Sequence, residues 1–339
     1  MTFKSINTND LIKNNLKLSH KPFLKLNLLS LDLSNNNRIG LDCIQLIKDL
    51  LPQLPQLQSI NLSNISLCTE GLRMLLEYLR QNKSIRKINL SNNGIYPNGA
   101  EDIANILLKN NYSIESLDLS ENRISLIGLR SILNALAPTD PLCKSESSLK
   151  SLYLRRMMIS FEESTLIRNM IFQTLHLKTL DFSSNQINRE SLAIICEALS
   201  VNNTIQDLNL SFNIFGPQGC AEIAKTLTQN KSISSLHLHC VGMKKEGAQV
   251  LAESLKNNHS LTRLNLSNNE IKASGCNHFI KLLKSNHSIH YMDLSCNSIK
   301  NKSSLYQDLC KIINTKIDLN GNSINQKFYK NKKENCNIM

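Results

Sequence analysis

Apolar residues recur along this chain in a fixed phrase. Ile85-Arg-Lys-Ile88-Asn-Leu90-Ser-Asn-Asn93-Gly-Ile95 and Leu261-Thr-Arg-Leu264-Asn-Leu266-Ser-Asn-Asn269-Glu-Ile271 share the template L-x-x-L-x-L-S-x-N-x-I. It starts at residues 28, 57, 85, 114, 149, 177, 205, 233, 261, 289 and, degenerately, 314, which makes eleven copies, mostly 28 residues apart. A fixed period of this length is the signature of a repeat architecture. Apolar positions 1, 4 and 6 point inward from a short strand and its approach. A helix follows, with apolar residues at helical spacing such as Ile103, Ala104 and Leu107, or Leu251, Ala252 and Leu255. The chain of 339 residues has the length of two ordinary domains, but the run of copies predicts one elongated domain instead.

Other positions carry backbone chemistry. Position 9 is Asn in eight copies: Asn36, Asn93, Asn122, Asn185, Asn213, Asn269, Asn297 and Asn322. An amide there can bond backbone groups left unpaired by a tight turn and ladder onto the next copy. Position 15 is Gly in six copies, letting the helix approach the strand closely. Helices are expected to end at Asn82, Asn110, Asn202, Asn230, Asn258 and Asn286, where Asn tolerates a left-handed closing residue. This pattern resembles the leucine-rich repeat family, in its ribonuclease-inhibitor-like form with units of 28–29 residues. The resemblance implies an α/β fold: a leucine-rich repeat solenoid, or horseshoe, of about eleven strand–helix repeats. A parallel sheet would line its concave face, with helices on the convex face. It covers residues 28–324; residues 1–27 are expected to form an N-terminal cap and residues 325–339 a basic C-terminal tail.

The copies act as one another's control. With positions 5, 7 and 8 taken as solvent-facing, position 5 is Asp or Asn in nine copies and position 7 is Ser in eight, a polar and uniform face. Copies 5 and 8 break it, with Tyr153, Arg155 and Arg156 in one and His237, His239 and Cys240 in the other. Both also lose the position-9 Asn, to Met157 and Val241. Copy 2 loses it to Ile65 but keeps the uniform face. Copy 4 is longer than the rest, its extra residues falling near Pro138–Ser148 and leading into the Tyr153 strand. Phe212, at position 8 of copy 7, adds an apolar residue, and Tyr291 is more peripheral. Tyr153, Arg155, Arg156, Phe212, His237 and His239 are therefore the candidate partner-binding residues, Tyr and Arg being favoured interface anchors.

Composition narrows the classes. There is no Trp, aromatic residues make up 5%, and 44 residues are Asn. No apolar run approaches the 18 or so residues that span a bilayer, and Met1–Asn7 shows no signal-peptide core. Ten scattered cysteines point to a reducing cytosol, with Cys220 and Cys276 as small core residues. Asn-x-Ser triplets such as Asn82–Ser84 and Asn230–Ser232 recur with the period and are taken as turn chemistry. No phosphate loop, zinc-protease or nucleophile-elbow motif occurs, and Asp32, Asp118, Asp181 and Asp293 recur as a structural column. The chain is taken as a non-enzyme with no cofactor and no metal; His237, His239 and Cys240 lack a second ligand cluster.

The end of the sequence carries the other signal. Cys336-Asn-Ile-Met339 matches a prenylation box whose terminal Met favours farnesyl, and Lys327, Lys330, Lys332 and Lys333 precede it. One prenyl chain binds membranes marginally, and a polybasic stretch supplies the second signal. Asn337 is not aliphatic and Glu334 interrupts the lysines. The expectation is a monomeric protein-interaction scaffold in the cytoplasm, peripheral to a membrane. It is either eukaryotic or a secreted bacterial effector acting in a host cytosol. A second reading, a regulator of a small GTPase, rests on similarity in repeat type and number to the activating proteins of the nuclear-transport GTPase Ran. Arg155 and Arg86 are imaginable there, but no motif match carries a role over to them, and that family's acidic tail is absent. Nuclease inhibition fits less well, because that inhibitor type is acidic. The net charge is +12: +4 in residues 1–27, +3 in residues 325–339 and +5 across the repeats, with no interleaved aromatics, which argues against nucleic acid.

Overall fold

The computed structural model describes residues 6–7, 28–36, 50–136, 147–300 and 314–323, with Ile47, Leu305, Asp308, Leu309 and Ile312 as single positions. Most of the expected N-terminal cap, most of the copy-4 insertion, and the tail with Lys327, Lys330, Lys332, Lys333 and Cys336 lie outside the described residues. The chain divides into two compact units: residues 1–157 with 173–177, and residues 158–172 with 178–339.

The first unit carries strands β1 (Ile6–Asn7), β2 (Ser30–Asp32), β3 (Ser59–Asn61), β4 (Lys87–Asn89), β5 (Ser116–Asp118) and β6 (Ser151–Tyr153), each parallel to the next. Its helices are α1 (Cys68–Gln81), α2 (Pro97–Asp102, running on as a π-helical turn over Ile103–Leu108) and α3 (Ser125–Leu136). The second unit carries β7 (Thr179–Asp181), β8 (Asp207–Asn209), β9 (Ser235–His237), β10 (Arg263–Asn265), β11 (Tyr291–Asp293) and β12 (Lys316–Asp318), again parallel and sequential. Helix α4 (Phe161–Gln173) precedes them, and α5 (Arg189–Val201), α6 (Gly216–Gln229), α7 (Lys244–Ser254) and α8 (Lys272–Leu283) alternate with them.

Strands β2 to β12 each occupy positions 3–5 of a copy. Position 4 forms a continuous buried row in each unit: Leu31, Ile60, Ile88, Leu117 and Leu152, then Leu180, Leu208, Leu236, Leu264, Met292 and Ile317. One residue of slip would turn every one of these side chains to solvent, so burial sets the register. Strand β1 adds a partner to β2 ahead of the first template copy. Positions 7 and 8 correct the expectation: they are not strand residues but belong to the turn that follows. Position 3, on the same face as position 5, takes their place.

Position-15 glycines fit as expected. A Cβ on Gly128 would meet Ile124 Cγ2 at 2.6 Å and Ala100 Cβ at 2.8 Å. The space belongs to the apolar side chain four residues back and to the neighbouring helix. Cys220 and Cys276 are buried on the same helical rows, and burial pushes both thiols up to about 12.

Candidate protein-binding face

Two asparagine columns hold the repeats together. At position 9, Asn269 Oδ1 accepts from Val241 N (2.9 Å) and Met243 N (3.2 Å), while its Nδ2 donates to Leu238 O (2.6 Å) and Leu266 O (3.0 Å). Asn93 makes the same set with Ile65, Leu67, Leu62 and Leu90. The ladder runs to the preceding copy, not the next. The second column is the set of asparagines at the helix ends, and here the expectation is overturned. Asn82, Asn202 and Asn230 are extended, with φ of −71°, −68° and −67°, not left-handed. Asn230 Oδ1 instead accepts from Ser232 N and Ile233 N, and its Nδ2 donates to Leu199 O (2.7 Å) and Asn202 O (2.8 Å) of the preceding repeat. The Asn-x-Ser triplets are this cap: Asn230 is 2% exposed.

Position 5 has a structural duty as well. Its Asp or Asn accepts from the position-7 backbone N–H two residues on: Ser34 N to Asp32 (2.9 Å), Ser91 N to Asn89 (2.9 Å), Ser211 N to Asn209 (3.0 Å), Ser295 N to Asp293 (2.9 Å). Tyr153 and His237 cannot replace that acceptor in kind. In both copies the orphaned N–H turns to the serine of the preceding repeat: Arg155 N donates to Ser120 Oγ (3.1 Å) and His239 N to Ser211 Oγ (3.2 Å).

Position 8 is left-handed in every described copy, from Asn35 (φ 61°) to Gly321 (φ 69°). Asn or Gly sits there at least strain. Arg156 (φ 52°), Phe212 (φ 58°) and Cys240 (φ 53°) occupy it without that advantage. Phe212 is still 49% exposed, so core packing does not repay the strain.

In the first unit, Tyr153, Arg155 and Arg156 leave β6 together, and the arginines are not free charges. Arg155 Nη2 lies 3.7 Å from Asp118 Oδ2, and Arg156 Nη1 lies 3.5 Å from Glu121 Oε2. Beside them Glu115 is held between Arg86 (3.1 Å) and Lys150 (3.0 Å), and Lys150 beside it holds its carboxyl below the usual range. Both arginines named for a GTPase regulator, Arg86 and Arg155, are thus engaged by acids.

In the second unit, the Phe212 and His239 rings meet edge to face, with centroids 4.6 Å apart, and His239 Nδ1 lies 2.6 Å from Ser267 Oγ. His237 Nε2 stands 3.1 Å from Ser235 Oγ and 3.3 Å from Asp207 Oδ1. Asp207 Oδ1 is buried and makes no formed hydrogen bond. The imidazole nonetheless holds the Asp207 carboxyl below its usual value. Arg263 stacks over Tyr291 at 5.6 Å. Asp207 and Arg263 are position-3 residues that escaped the sequence reading; the two-residue alternation about buried position 4 would have found them. Among the described residues, no three His, Cys, Asp or Glu side chains group as metal ligands, and no helix is long and apolar enough to cross a membrane.

A leucine-rich repeat model matches residues 81–104, 110–133, 175–196, 201–224 and 257–277. The chain has the leucine-rich repeat fold. The leucine-rich repeat-containing protein LegL7 from Legionella pneumophila has the same fold, with a TM-score of 0.57 and 21% identity over 83% of this chain and 90% of that one. Mouse ribonuclease inhibitor is 27% identical over 139 residues, 41% of this chain and 29% of the inhibitor. Human NACHT, LRR and PYD domains-containing protein 13 is 27% identical over 154 residues, 45% of this chain and 14% of that protein. The chain spans less than a third of the length of these curated relatives. In this leucine-rich repeat fold the strand face is the surface the copies keep uniform, and copies 5 and 8 are where it changes.

Proposed function

We propose that this chain is a non-enzymatic scaffold that captures a protein partner on its strand face. Tyr153, Arg155 and Arg156 form one candidate contact, in the first unit, and Phe212, His237 and His239 form another, in the second. One observation carries the reading: in copies 5 and 8 the backbone keeps its hydrogen bond through Ser120 and Ser211 while the face changes from small polar to large side chains. Large aromatic and cationic groups raised on a rigid ladder suit protein recognition. The sheet faces of stacked repeats are extended binding surfaces in general. Farnesyl on Cys336, with Lys327, Lys330, Lys332 and Lys333, holds the scaffold at a cytoplasmic membrane surface in a eukaryotic cell, whether its own or a host's.

The test is affinity purification from eukaryotic cells. Wild type retains partners that the Phe212→Ala, His237→Ala, His239→Ala triple variant loses at equal expression. Cys336→Ser keeps those partners but leaves the membrane fraction. Unchanged capture by the Phe212, His237, His239 alanine triple and by the Tyr153, Arg155, Arg156 alanine triple overturns the face; Cys336→Ser remaining on membranes overturns the anchor.

A further inference from the structure

The repeats do not share their charge. Residues 28–232 are neutral, with nineteen basic and nineteen acidic side chains, whereas residues 233–313 hold ten basic and five acidic. The repeat excess of +5 therefore falls in copies 8 to 10. Within them, Lys256 is closed on Glu253 and Lys284 on Asp308, and Arg263 lies on Tyr291.

Three of the remaining seven share one position. Position 12, where the turn enters the helix, is Lys244, Lys272 and Lys300 in copies 8, 9 and 10. In copies 2 to 7 it is Cys68, Tyr96, Ser125, Ser160, Asn188 and Gly216. All three lysines are exposed, as is Lys245 beside the first. Among the described residues none of the four forms an ion pair. Glu246 and Glu270 border the column and offset half of its charge. The repeat ladder fixes the alignment: Lys244 N donates to Asn269 O and Lys272 N to Asn297 O, both at 2.9 Å. The column therefore sets one lysine per repeat along the same edge.

The ladder also reaches copy 11. Asn322 keeps the ladder, accepting from Asn297 N (2.8 Å) and Ile299 N (3.0 Å), and Ser323 is position 10 of copy 11. In the sequence, Lys327, Lys330, Lys332 and Lys333 follow Ser323 within ten residues.

We propose that the edge formed by Lys244, Lys245, Lys272 and Lys300 lies against the anionic headgroups of a membrane, and so decides which side of the folded repeats faces the bilayer. The proposal rests on the membrane reading of the tail and adds a folded contact to it. Exposed lysines are hydrated point charges on flexible stems. They suit a diffuse anionic surface better than a site needing a fixed fork of donors.

The test uses the full chain made in bacteria, without farnesyl, sedimented with phosphatidylcholine vesicles with and without phosphatidylserine. Lys244→Asn, Lys272→Asn and Lys300→Asn are combined, since Asn accepts the left-handed backbone at Lys244 (φ 55°) and Lys272 (φ 58°). Wild type is expected to bind only the phosphatidylserine vesicles, and the triple variant at least about tenfold more weakly with unchanged circular dichroism. A tail variant with Lys327, Lys330, Lys332 and Lys333 changed to Gln is expected to keep a serine-lipid-dependent remnant, which adding the column substitutions removes. Equal binding by wild type and the column variant overturns the proposal, as does complete loss of binding in the tail variant alone. Tighter binding of wild type to duplex DNA through the same lysines would also overturn it. The farnesyl anchor fails separately, by Cys336→Ser staying on membranes in cells, while the vesicle result stands.

Discussion

Copies 5 and 8 break the same rules and arrive at opposite surfaces. Each gives up the position-5 cap and the position-9 asparagine, and each rescues the exposed N–H with a serine from the repeat before. Copy 5 then pairs its arginines with Asp118 and Glu121, so its cations are neutralised within the repeat stack. Copy 8 sets imidazoles against Phe212, Ser267 and Asp207, leaving aromatic rings on view. The shared device lies in the backbone, and the difference lies in what it carries. A structural column can be released for binding only where a neighbour takes over its hydrogen bond.

The comparison breaks first if the ladder is removed. Asn269→Ala strips acceptors and donors from several buried backbone groups around copy 8 and is expected to destabilise by about 3–5 kcal/mol in urea melts. A loss below about 1 kcal/mol would show that the amide column is dispensable. Next come the rescuing serines. Ser120→Ala and Ser211→Ala should each lose about 1–2 kcal/mol, because an N–H loses its only substitute acceptor. Ser91→Ala is the control, since in the following repeat Asp118 already accepts from Ser120 N, and should stay within about 0.5 kcal/mol. Equal losses at all three would refute the exchange.

Phe212→Asn sharpens the contrast in the other direction. It relieves a left-handed aromatic at the expense of an edge contact with His239, and a gain of about 0.5–1 kcal/mol is expected together with weaker partner capture. A destabilised variant would mean that the ring holds the fold. The smallest effect is in pH. Glu115 and Asp207 both titrate below their ordinary values, because of Lys150 and His237 respectively. A depressed carboxyl stabilises above its unfolded pKa and loses that contribution as pH falls through its folded one. Side-chain carbon NMR should show Asp207 titrating at higher pH in His237→Asn, with Glu115 unmoved; a shift at both would point to a global change.

The division between what the chain alone determines and what the packed repeats decide follows from the kind of force involved. Burial is legible from one strand at a time. The period, the eleven strands, the Leu and Ile rows and the glycine at position 15 follow from which residues avoid water. The position-9 ladder was legible too, because an amide recurring beside a turn has few other uses. Hydrogen-bond direction was not legible, because the bonds join segments 31 residues apart in sequence, and the backbone hand was not, because the packed turn imposes it on residues of many types. Asn230-Lys-Ser232 is the same triplet whether it closes a helix left-handed or, as here, stays extended and reaches back to Leu199 O. Position 8 shows polar residues on a pattern plot, but only the folded turn reveals that all of them are left-handed and that Phe212 is the costly one. The alternation about position 4 places Asp207 and Arg263 on the face, but their contacts with His237 and Tyr291 arise only because β8 pairs with β9 and β10 with β11.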